Sequence, residues 1–280
     1  MKKYSVIWYT TFAMVAFAAN SLLCRLALKN TQIDPTIFTD VRLLSGVVTL
    51  GLINLSKKQL SIASGNWTSA ISLFIYALFF SLAYVSLPAG IGAILLFGSV
   101  QLSMISFGIF KGERFTFLQT SGFILAVVGL GILFLPGLTT PPLKGSILMV
   151  VSGFAWALYS INGKKSRSPL QDTFGNFLRS LPLLLLFTIF TLHGQRFDML
   201  GIVYACLSGA VASGLGYSIW YSVLPQLKST YAATVQLSVP VIASFAAIFI
   251  LNESLTIRLF FSSLAILLGI AIVIMTKKQS

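Results

Sequence analysis

Long apolar runs separated by short polar connectors make up almost all of this 280-residue chain. Each run is about 18–22 residues long, which is the length that an α-helix needs to cross a hydrocarbon core of about 30 Å. The pattern therefore predicts an all-α polytopic membrane protein. We place its ten transmembrane helices at 5–28, 36–55, 68–87, 90–110, 116–135, 145–162, 173–192, 200–223, 230–250 and 256–275.

One stretch in each half of the chain repeats the same pattern. Residues 78–88, LFFSLAYVSLP, match residues 215–225, LGYSIWYSVLP, at five positions with an offset of 137. At the same offset Arg42 falls on Arg179. Matching residues that recur in the same order predict that one unit is duplicated along the chain. We expect two copies of a five-helix unit, at 1–137 and 138–280.

The composition agrees with the apolar pattern. Hydrophobic residues make up 56% of the chain and charged residues 9%, with a mean hydropathy of +0.92, whereas a soluble domain carries about 25% charge. The net charge of +13 comes largely from lysines and arginines in the connectors. It therefore reports membrane topology, and we expect no nucleic-acid partner.

The basic residues are unevenly divided between the two sides of the membrane. With the N-terminus inside, twelve lie in cytoplasmic connectors and terminal segments and four outside, so the positive-inside rule places both termini in the cytoplasm. Because each unit has five helices, the second enters the membrane from the opposite side, and the two are predicted to be inverted repeats. The cytoplasmic set is Lys2, Lys3, Lys57, Lys58, Lys111, Arg114, Lys164, Lys165, Arg167, Lys228, Lys277 and Lys278, and the outer set is Lys29, Lys144, Arg196 and Arg258.

The sequence contains few residues that could bind a metal or act as a catalytic nucleophile. Cys24 and Cys206 are the two cysteines and His193 is the single histidine, so we expect no disulfide framework, no metal site and no cofactor. The sequence contains neither HExxH nor GxSxG, so we expect no catalytic residues and no enzyme. A non-transporting membrane subunit or sensor stays open as an alternative.

The first helix has a second interpretation. Lys2 and Lys3, an apolar stretch and then Ala16, Phe17 and Ala18 resemble a signal peptide with a small-residue cleavage site. The apolar run continues beyond these residues, however, and the internal repeat requires this helix. A retained transmembrane helix is therefore favoured.

The ten-helix pattern and several motifs resemble the EamA-type family of the drug/metabolite transporter superfamily, over essentially the full chain. Two positions depart from the family's pattern: Val100 stands where the first half usually carries a proline, and Ala19 stands where a tryptophan often does. The motifs that carry the resemblance are FAANSLLCRLAL (17–28), TDVRLLSG (39–46), LAYVSLPAGIGAIL (82–95), GERFTFLQTSGFILAVVGLGILF (112–134), FAWALYSINGKK (154–165) and VQLSVPVIASFAAIFILNESLT (235–256).

The resemblance implies a midplane cavity lined by helices 1, 3, 4, 6, 8 and 9. Side-chain amides at membrane depth must find partners or face such a cavity, although an interhelical hydrogen bond would satisfy them equally. The aromatic residues have an alternative role as anchors at the membrane interface. The predicted substrate-binding residues are Asn20, Tyr84, Gln101, Trp156, Tyr159, Tyr217, Trp220, Tyr221 and Gln236.

Charged residues inside apolar runs form a second set of candidates. Arg42 and Arg179 lie about seven residues inside their helices, roughly 10 Å deep, and a long arginine can snorkel from there to the headgroups. The alternatives are a salt bridge or a clamp for an anionic substrate. Arg25 and Asp40 both lie in the outer third of the membrane and are candidates for a charge pair at an outer gate.

Two glutamates outside the predicted helices are expected to be structural. Glu113 and Glu253 occupy matching positions of the repeat, each just before the last helix of its half, where an acid suits the positive helix N-terminus. Asp40 is the single acid within a predicted helix. Proton coupling through a carboxylate therefore has weak support, and facilitated diffusion or exchange stays open.

Together these features predict a carrier of small organic metabolites, such as amino acids, that works by alternating access. Export is the common direction among proteins of the family that the sequence resembles. We expect the carrier in the inner (cytoplasmic) membrane of a cell. Its expected partners are the lipid bilayer and a small-molecule substrate, and a homodimer stays open.

Overall fold

A computed structural model describes residues 3–59, 61, 63–112, 115–133, 140–163, 166, 168–191, 195–223, 226–227, 235–254 and 256–276. This part of the chain contains ten long helices, which confirms the predicted number and the all-α class. They are α1 (Lys3–Asn30), α2 (Pro35–Ser56), α3 (Trp67–Tyr84), α4 (Ala89–Phe110), α5 (Phe117–Leu133), α6 (Leu143–Gly163), α7 (Pro169–Phe190), α8 (Met199–Val223), α9 (Ser238–Leu251) and α10 (Ile257–Met275).

The helices have the length and surface of membrane-spanning segments. Eight are at least 18 residues long and apolar enough to cross a membrane, and the shorter α5 and α9 are also apolar. Large apolar side chains cover the outside of the bundle; Phe110, Phe117 and Phe190 are 89%, 90% and 79% exposed. Lipid tails, unlike water, solvate such a surface favourably. The chain is therefore a multi-pass membrane protein.

Side-chain caps fix the starts of four helices. Asp34 accepts a backbone N–H at 2.7 Å ahead of α2, whose first residue is Pro35. Asp198 accepts one at 3.0 Å ahead of α8, and Asn66 and Thr256 act in the same way for α3 and α10. Each cap satisfies a backbone donor that has no partner within the helix. The polar connectors thus determine where the apolar runs begin as helices.

Glycines allow several helices to cross at short range. A Cβ atom at Gly209 of α8 would lie 2.0 Å from the backbone oxygen of Arg42 on α2. On α5 and α10, Gly122 and Gly269 face each other, and a Cβ on either would lie within 2.8 Å of the other's backbone oxygen. Small residues promote helix association in lipid because they let backbones approach closely.

The middle of α8 departs from regular α-helix. Ser208–Leu215 is wound as a π-helix between the α-helical segments Met199–Leu207 and Gly216–Val223. This segment packs against α1 and α2. Short π-helical insertions often mark functional positions, because they rotate side chains out of the regular helical pattern.

The two ends of the bundle carry different connections. Connections after odd-numbered helices lie at what we call the α1–α2 end, and those after even-numbered helices at the α2–α3 end. At the α1–α2 end, the N–H of Asp34 donates to the backbone oxygen of Arg196 at 3.0 Å, which ties two connections together.

The first helix, α1, packs against α3, α4, α8 and α9. It is therefore an integral part of the core. A signal peptide would have no reason to make these contacts.

Candidate functional site

Five aromatic side chains from four helices meet in the middle of the bundle. They are Phe17 of α1, Tyr76 and Phe80 of α3, Trp156 of α6 and Tyr217 of α8, and we call them the aromatic cluster. The ring centroids of Tyr76 and Trp156 lie 4.7 Å apart, those of Trp156 and Tyr217 5.2 Å apart, and those of Phe17 and Tyr217 5.7 Å apart. Rings at these separations attract each other. The cluster therefore forms a connected aromatic wall.

The aromatic cluster surrounds a small cavity that Asn20 and Ala212 also line. The cavity volume is about 20 Å³. One water molecule needs roughly 10–15 Å³ measured in this way, so the cavity has room for a water but not for a metabolite. The centre of the protein is therefore closed in this conformation.

A chain of polar side chains passes beside this cavity. The hydroxyl oxygen of Tyr76 accepts a hydrogen bond from Arg42 Nη2 at 3.0 Å and a second from Asn20 Nδ2 at 3.3 Å. Asn20 Oδ1 in turn accepts from Ser208 Oγ at 2.6 Å, at the start of the π-helical segment. These hydrogen bonds connect α1, α2, α3 and α8 through buried groups. A buried polar network stabilises a protein only when each of its groups has a hydrogen-bond partner.

Arg42 is the least satisfied member of that chain. Its side chain is 1% exposed and lies over the rings of Tyr76 and Phe80, with Cζ 5.3 Å and 4.9 Å from their centroids. Among the residues that the structure describes, no hydrogen-bond acceptor is in reach of Nε or Nη1. The snorkelling interpretation is wrong for Arg42, because its guanidinium is enclosed by protein. A buried charge is normally paired, so this one requires an explanation.

Several of the predicted substrate-binding residues come together at this place. Asn20, Trp156 and Tyr217 line the cavity. Tyr159 stacks on Trp156 with centroids 5.4 Å apart and an interplanar angle of 28°, and Trp220 packs on the ring of Phe17 at 6.1 Å. Tyr217 and Trp220 are 4% and 7% exposed, so neither faces lipid as an interfacial anchor would.

The structure places four other predicted residues away from the cavity lining. Tyr221 lies beside Tyr159 and does not line the cavity. Tyr84 is fully buried, and its ring fills the space over Gly92, where a Cβ would lie 2.3 Å from it. Gln101 is buried near the middle of α4, 3% exposed, and Gln236 precedes α9. No residue of helix 9 lines the cavity in the described part of the chain, although the family resemblance led us to expect it.

Arg25 forms an ion pair, but not with Asp40. Its Nε lies 3.4 Å from Oε1 of Glu253, and its Nη1 donates to the backbone oxygens of Tyr84 and Val85 at 2.8 Å and 3.0 Å. Both carboxylate oxygens of Asp40 instead accept from the Thr188 hydroxyl on α7, at 3.1 Å and 2.8 Å. The predicted pairing of Arg25 with Asp40 is therefore wrong, because the two side chains face different helices.

Glu253 caps a different helix from the one that we predicted. Its Oε2 accepts the backbone N–H of Ala89 at 2.7 Å, at the start of α4, while Thr256 caps α10. The favourable interaction of an acid with a helix N-terminus is present, but it joins the two halves of the chain. Glu113, the matching residue of the first half, lies outside the described residues.

A wide cleft opens at the α1–α2 end, next to the ion pair. Its volume is about 480 Å³, and Arg25 and Glu253 are among the residues that line it. On α3, the aromatic rings of Tyr76, Phe80 and Tyr84 follow one another at centroid distances of 5.5 Å and 4.7 Å. This row of rings leads from the central cavity to the level of the ion pair, so the two spaces are separated by packed side chains.

At the α2–α3 end, the connection between these helices is fastened to α7. Arg179 donates to the backbone oxygens of Ser64, Ala63 and Gly175, the last two at 3.0 Å and 3.1 Å. Asp172 accepts the N–H of Gly65 at 3.0 Å. Arg179 therefore has backbone partners for its charge and takes no part in the central site.

Sequence reasoning missed four residues of this site: Phe17, Tyr76, Phe80 and Ser208. Tyr76 and Phe80 precede Tyr84, which we did single out, by eight and four residues, and residues spaced by four share a helix face. That spacing was the available signal for the ring row. Ser208 gave no comparable signal, because its role depends on the π-helical winding of α8.

No group of three or more potential metal ligands occurs among the described residues. The site instead offers aromatic faces, one amide, hydroxyl groups and one arginine. Such an inventory can bind a small amphipathic solute, with the rings taking apolar surface and the polar groups fixing its orientation.

A family model and several known sequences are similar to this chain. Residues 143–275 match the EamA-like transporter family. An uncharacterized protein of Pseudomonas aeruginosa is 49% identical over 95% of this chain and 93% of its own length. A protein of Escherichia coli described as a probable amino-acid metabolite efflux pump is 27% identical, over 72% of this chain and 73% of its own.

Similarity also extends to the three-dimensional structure. A crystal structure superposes with a TM-score of 0.69, covering 96% of this chain and 97% of the other at 15% sequence identity. At that identity the match concerns the fold alone.

The chain is also similar over its length to an uncharacterized transporter of Archaeoglobus fulgidus. The two are 28% identical over 98% of this chain and 99% of the other.

Proposed function

This chain belongs to the EamA-like family of the drug/metabolite transporter superfamily, and from that premise we propose that it exports small amphipathic metabolites, such as amino acids, by alternating access. The observation that carries the proposal is the aromatic cluster with Asn20, packed together where four helices of both halves meet. The names of relatives, including a probable amino-acid metabolite efflux pump, support the direction and the solute class. Names and family both indicate a transporter and not an enzyme.

We further propose that 1–137 and 138–280 are inverted repeats. Helix packing supports this, because exchanging each helix of one half for its counterpart in the other reproduces several contacts. The pair α3–α6 becomes α8–α1, α4–α6 becomes α9–α1, and α2–α8 becomes α7–α3, and all six pairs are in contact. Related units that exchange places around a central site are the usual basis of alternating access.

The proposed orientation has the α2–α3 end in the cytoplasm and the α1–α2 end outside. The distribution of basic residues supports it, since twelve of them fall on the α2–α3 side. The wide cleft then opens to the outside, the central cavity is closed, and the docked α2–α3 connection lies on the inner face. Inner-membrane location is the proposal for a bacterial carrier of this family.

The transport step requires the central cavity to expand. In this conformation the row of rings on α3 and the ion pair of Arg25 with Glu253 separate the cavity from the outer cleft. Exit of a solute to the outside would therefore require these contacts to separate, and entry from the cytoplasm would require α7 and the α2–α3 connection to part. Rigid rocking of one unit against the other would do both alternately.

Uptake by proteoliposomes tests this proposal. The protein is reconstituted, and counterflow is measured for labelled leucine, phenylalanine, a nucleobase, a sugar and a quaternary amine. We expect exchange of an amino acid, reduced about tenfold or more in Trp156→Ala, because a buried aromatic face is worth about 1.5–3 kcal/mol.

The matched control is Phe154→Ala, two residues away on α6 but 52% exposed on the outer surface. It removes a similar ring without touching the cluster and should transport like wild type. Equal loss in both variants would contradict the site. Absence of transport of every solute, together with a stable complex between this chain and another membrane protein, would instead favour the subunit alternative.

A further inference from the structure

The hydroxyl oxygen of Tyr76 occupies a position that suits a carboxylate oxygen. It accepts from the guanidinium of Arg42 at 3.0 Å and from the amide of Asn20 at 3.3 Å, both of them buried donors. A carboxylate accepts such bonds more strongly than a phenol, because its oxygens share a negative charge and can receive two parallel N–H groups of a guanidinium. Two further donors of Arg42, Nε and Nη1, have no acceptor among the described residues.

Among the described residues, no carboxylate pairs with the buried charge of Arg42. Arginine stays protonated in proteins, so this side chain is a cation. Within the described residues the single ion pair is that of Arg25 with Glu253, and Asp40, two residues from Arg42 on α2, is bonded to Thr188. The rings of Tyr76 and Phe80 supply attraction but no negative charge. Burying a cation in this way is costly, and function is the usual reason for keeping it.

We propose that Arg42 binds the carboxylate of the transported solute. This inference rests on the proposed function and adds the chemical class of the solute. When the cavity expands, the carboxylate takes the place of the Tyr76 hydroxyl between Arg42 and Asn20 and also engages the free donors of Arg42. The apolar part of the solute then packs against the aromatic cluster.

The same geometry sets limits on the solute. One buried cation matches one negative charge, so the site takes monocarboxylates and rejects dicarboxylates and phosphate esters. The described lining has no acid to pair with an ammonium group, so the carboxylate is required and the α-ammonium is not. An ammonium is nevertheless accepted, because the faces of Trp156 and Tyr217 attract cations.

Competition against amino-acid counterflow tests the carboxylate requirement in the wild-type protein. The competitors are phenylalanine, its deaminated analogue 3-phenylpropionate, and phenylalanine amide, which keeps the ring and the ammonium but loses the carboxylate. The corresponding leucine series is measured in parallel. We expect the two acids to compete with each other within a few-fold, and the amide to compete at least tenfold more weakly.

Two arginine variants locate the requirement. In Arg42→Gln the preference for acid over amide should fall to about one, because a neutral amide side chain binds both headgroups alike. Arg179→Gln, the counterpart in the second half, should retain the wild-type preference even where its overall rate changes. The preference is a ratio, so it does not depend on the amount of folded protein.

Tyr76→Phe supplies a test that a purely structural role of Arg42 would not pass. Removing the hydroxyl removes the group that competes for the Arg42 and Asn20 donors, so the preference for acid over amide should rise above its wild-type value. A merely structural network would lose its central acceptor, with no gain for the acid.

Each remaining outcome decides between the two proposals. Equal competition by acid and amide in wild type, or an undiminished preference in Arg42→Gln, overturns the carboxylate site and leaves the carrier function standing. Transport restricted to solutes that lack a carboxylate does the same. Failure to transport any member of either series contradicts the amino-acid proposal and the carboxylate site together.

Discussion

Arg42 and Arg179 stand 137 residues apart, at matching positions of the two halves, but the structure surrounds them very differently. Arg179 is partly exposed and has three backbone oxygens as partners at the α2–α3 end. Arg42 is 1% exposed, has one hydrogen bond to a phenol, and leaves two nitrogens without an acceptor among the described residues. The comparison teaches that matching positions in the sequence do not imply matching roles: Arg179 fastens the α2–α3 connection to α7, whereas Arg42 keeps donors that our proposal assigns to the solute.

The strongest test of this difference replaces each arginine by methionine. Arg42→Met removes an unpaired buried charge, so the unfolding free energy should stay level or rise. Transport should fall ten- to hundred-fold, as expected for a lost charged hydrogen bond of about 1.5–3 kcal/mol. Arg179→Met should do the reverse, lowering the melting temperature while the acid-over-amide preference is kept. Matching stability losses in both variants would contradict the comparison.

A second test moves Arg42 without changing it. A Cβ at Gly209 would lie 2.0 Å from the Arg42 backbone oxygen, so Gly209→Ala must push α8 away from α2. We expect a loss of about 1–3 kcal/mol in unfolding free energy and a parallel loss of transport. The control is Gly131→Ala on α5, where a Cβ meets nothing within 4 Å and should be neutral or slightly stabilising. Detergent unfolding curves that show no difference between the two would indicate that the α2–α8 contact does not hold Arg42 in place.

A third test concerns a carboxylate that already has partners, in contrast to Arg42. Glu253→Ala removes both the ion pair with Arg25 and the acceptor for the Ala89 N–H, and should cost about 1–3 kcal/mol. Glu253→Gln keeps an oxygen for Ala89 and should lose less. In counterflow, both variants should change the rate while they retain the acid-over-amide preference. A lost preference in Glu253→Gln would mean that the solute carboxylate binds at the cleft and not at Arg42.

The smallest effect on stability is expected at Asp198, a charged residue outside the membrane-spanning segments. Backbone groups are its hydrogen-bond partners, as they are for Arg179. The backbone N–H of Gly201 and that of Gln32 hold the pKa of Asp198 below its usual value of 3.8. Its folded-state pKa is lowered, so its stabilising contribution is present above pH 3.8 and is lost as the pH falls through the lower folded value. Asp198→Asn, which keeps the α8 cap, should slightly flatten the acid limb of a melting temperature against pH. A steeper limb in the variant would contradict the assignment.

The sequence predicted the helices well because apolar length and capping residues are local properties. It also brought Asn20, Trp156 and Tyr217 into one candidate site, and the structure places all three at the cavity. The pairing of Arg25 with Glu253 was out of reach, because it depends on how helices 228 residues apart in sequence pack. The exposure of the two arginines could not be predicted either. Arg42 and Arg179 lie equally deep in their apolar runs, and the packing of α8 and α3 alone distinguishes them.

The most direct measurement is a structure of the protein with 4-bromophenylalanine bound, located by the anomalous signal of bromine. The account predicts that the carboxylate lies about 3 Å from Arg42 Nε or Nη1, with the Tyr76 hydroxyl displaced and the bromine beside Trp156. Bromine in the cleft beside Arg25, or a carboxylate bound at Arg179, would contradict it.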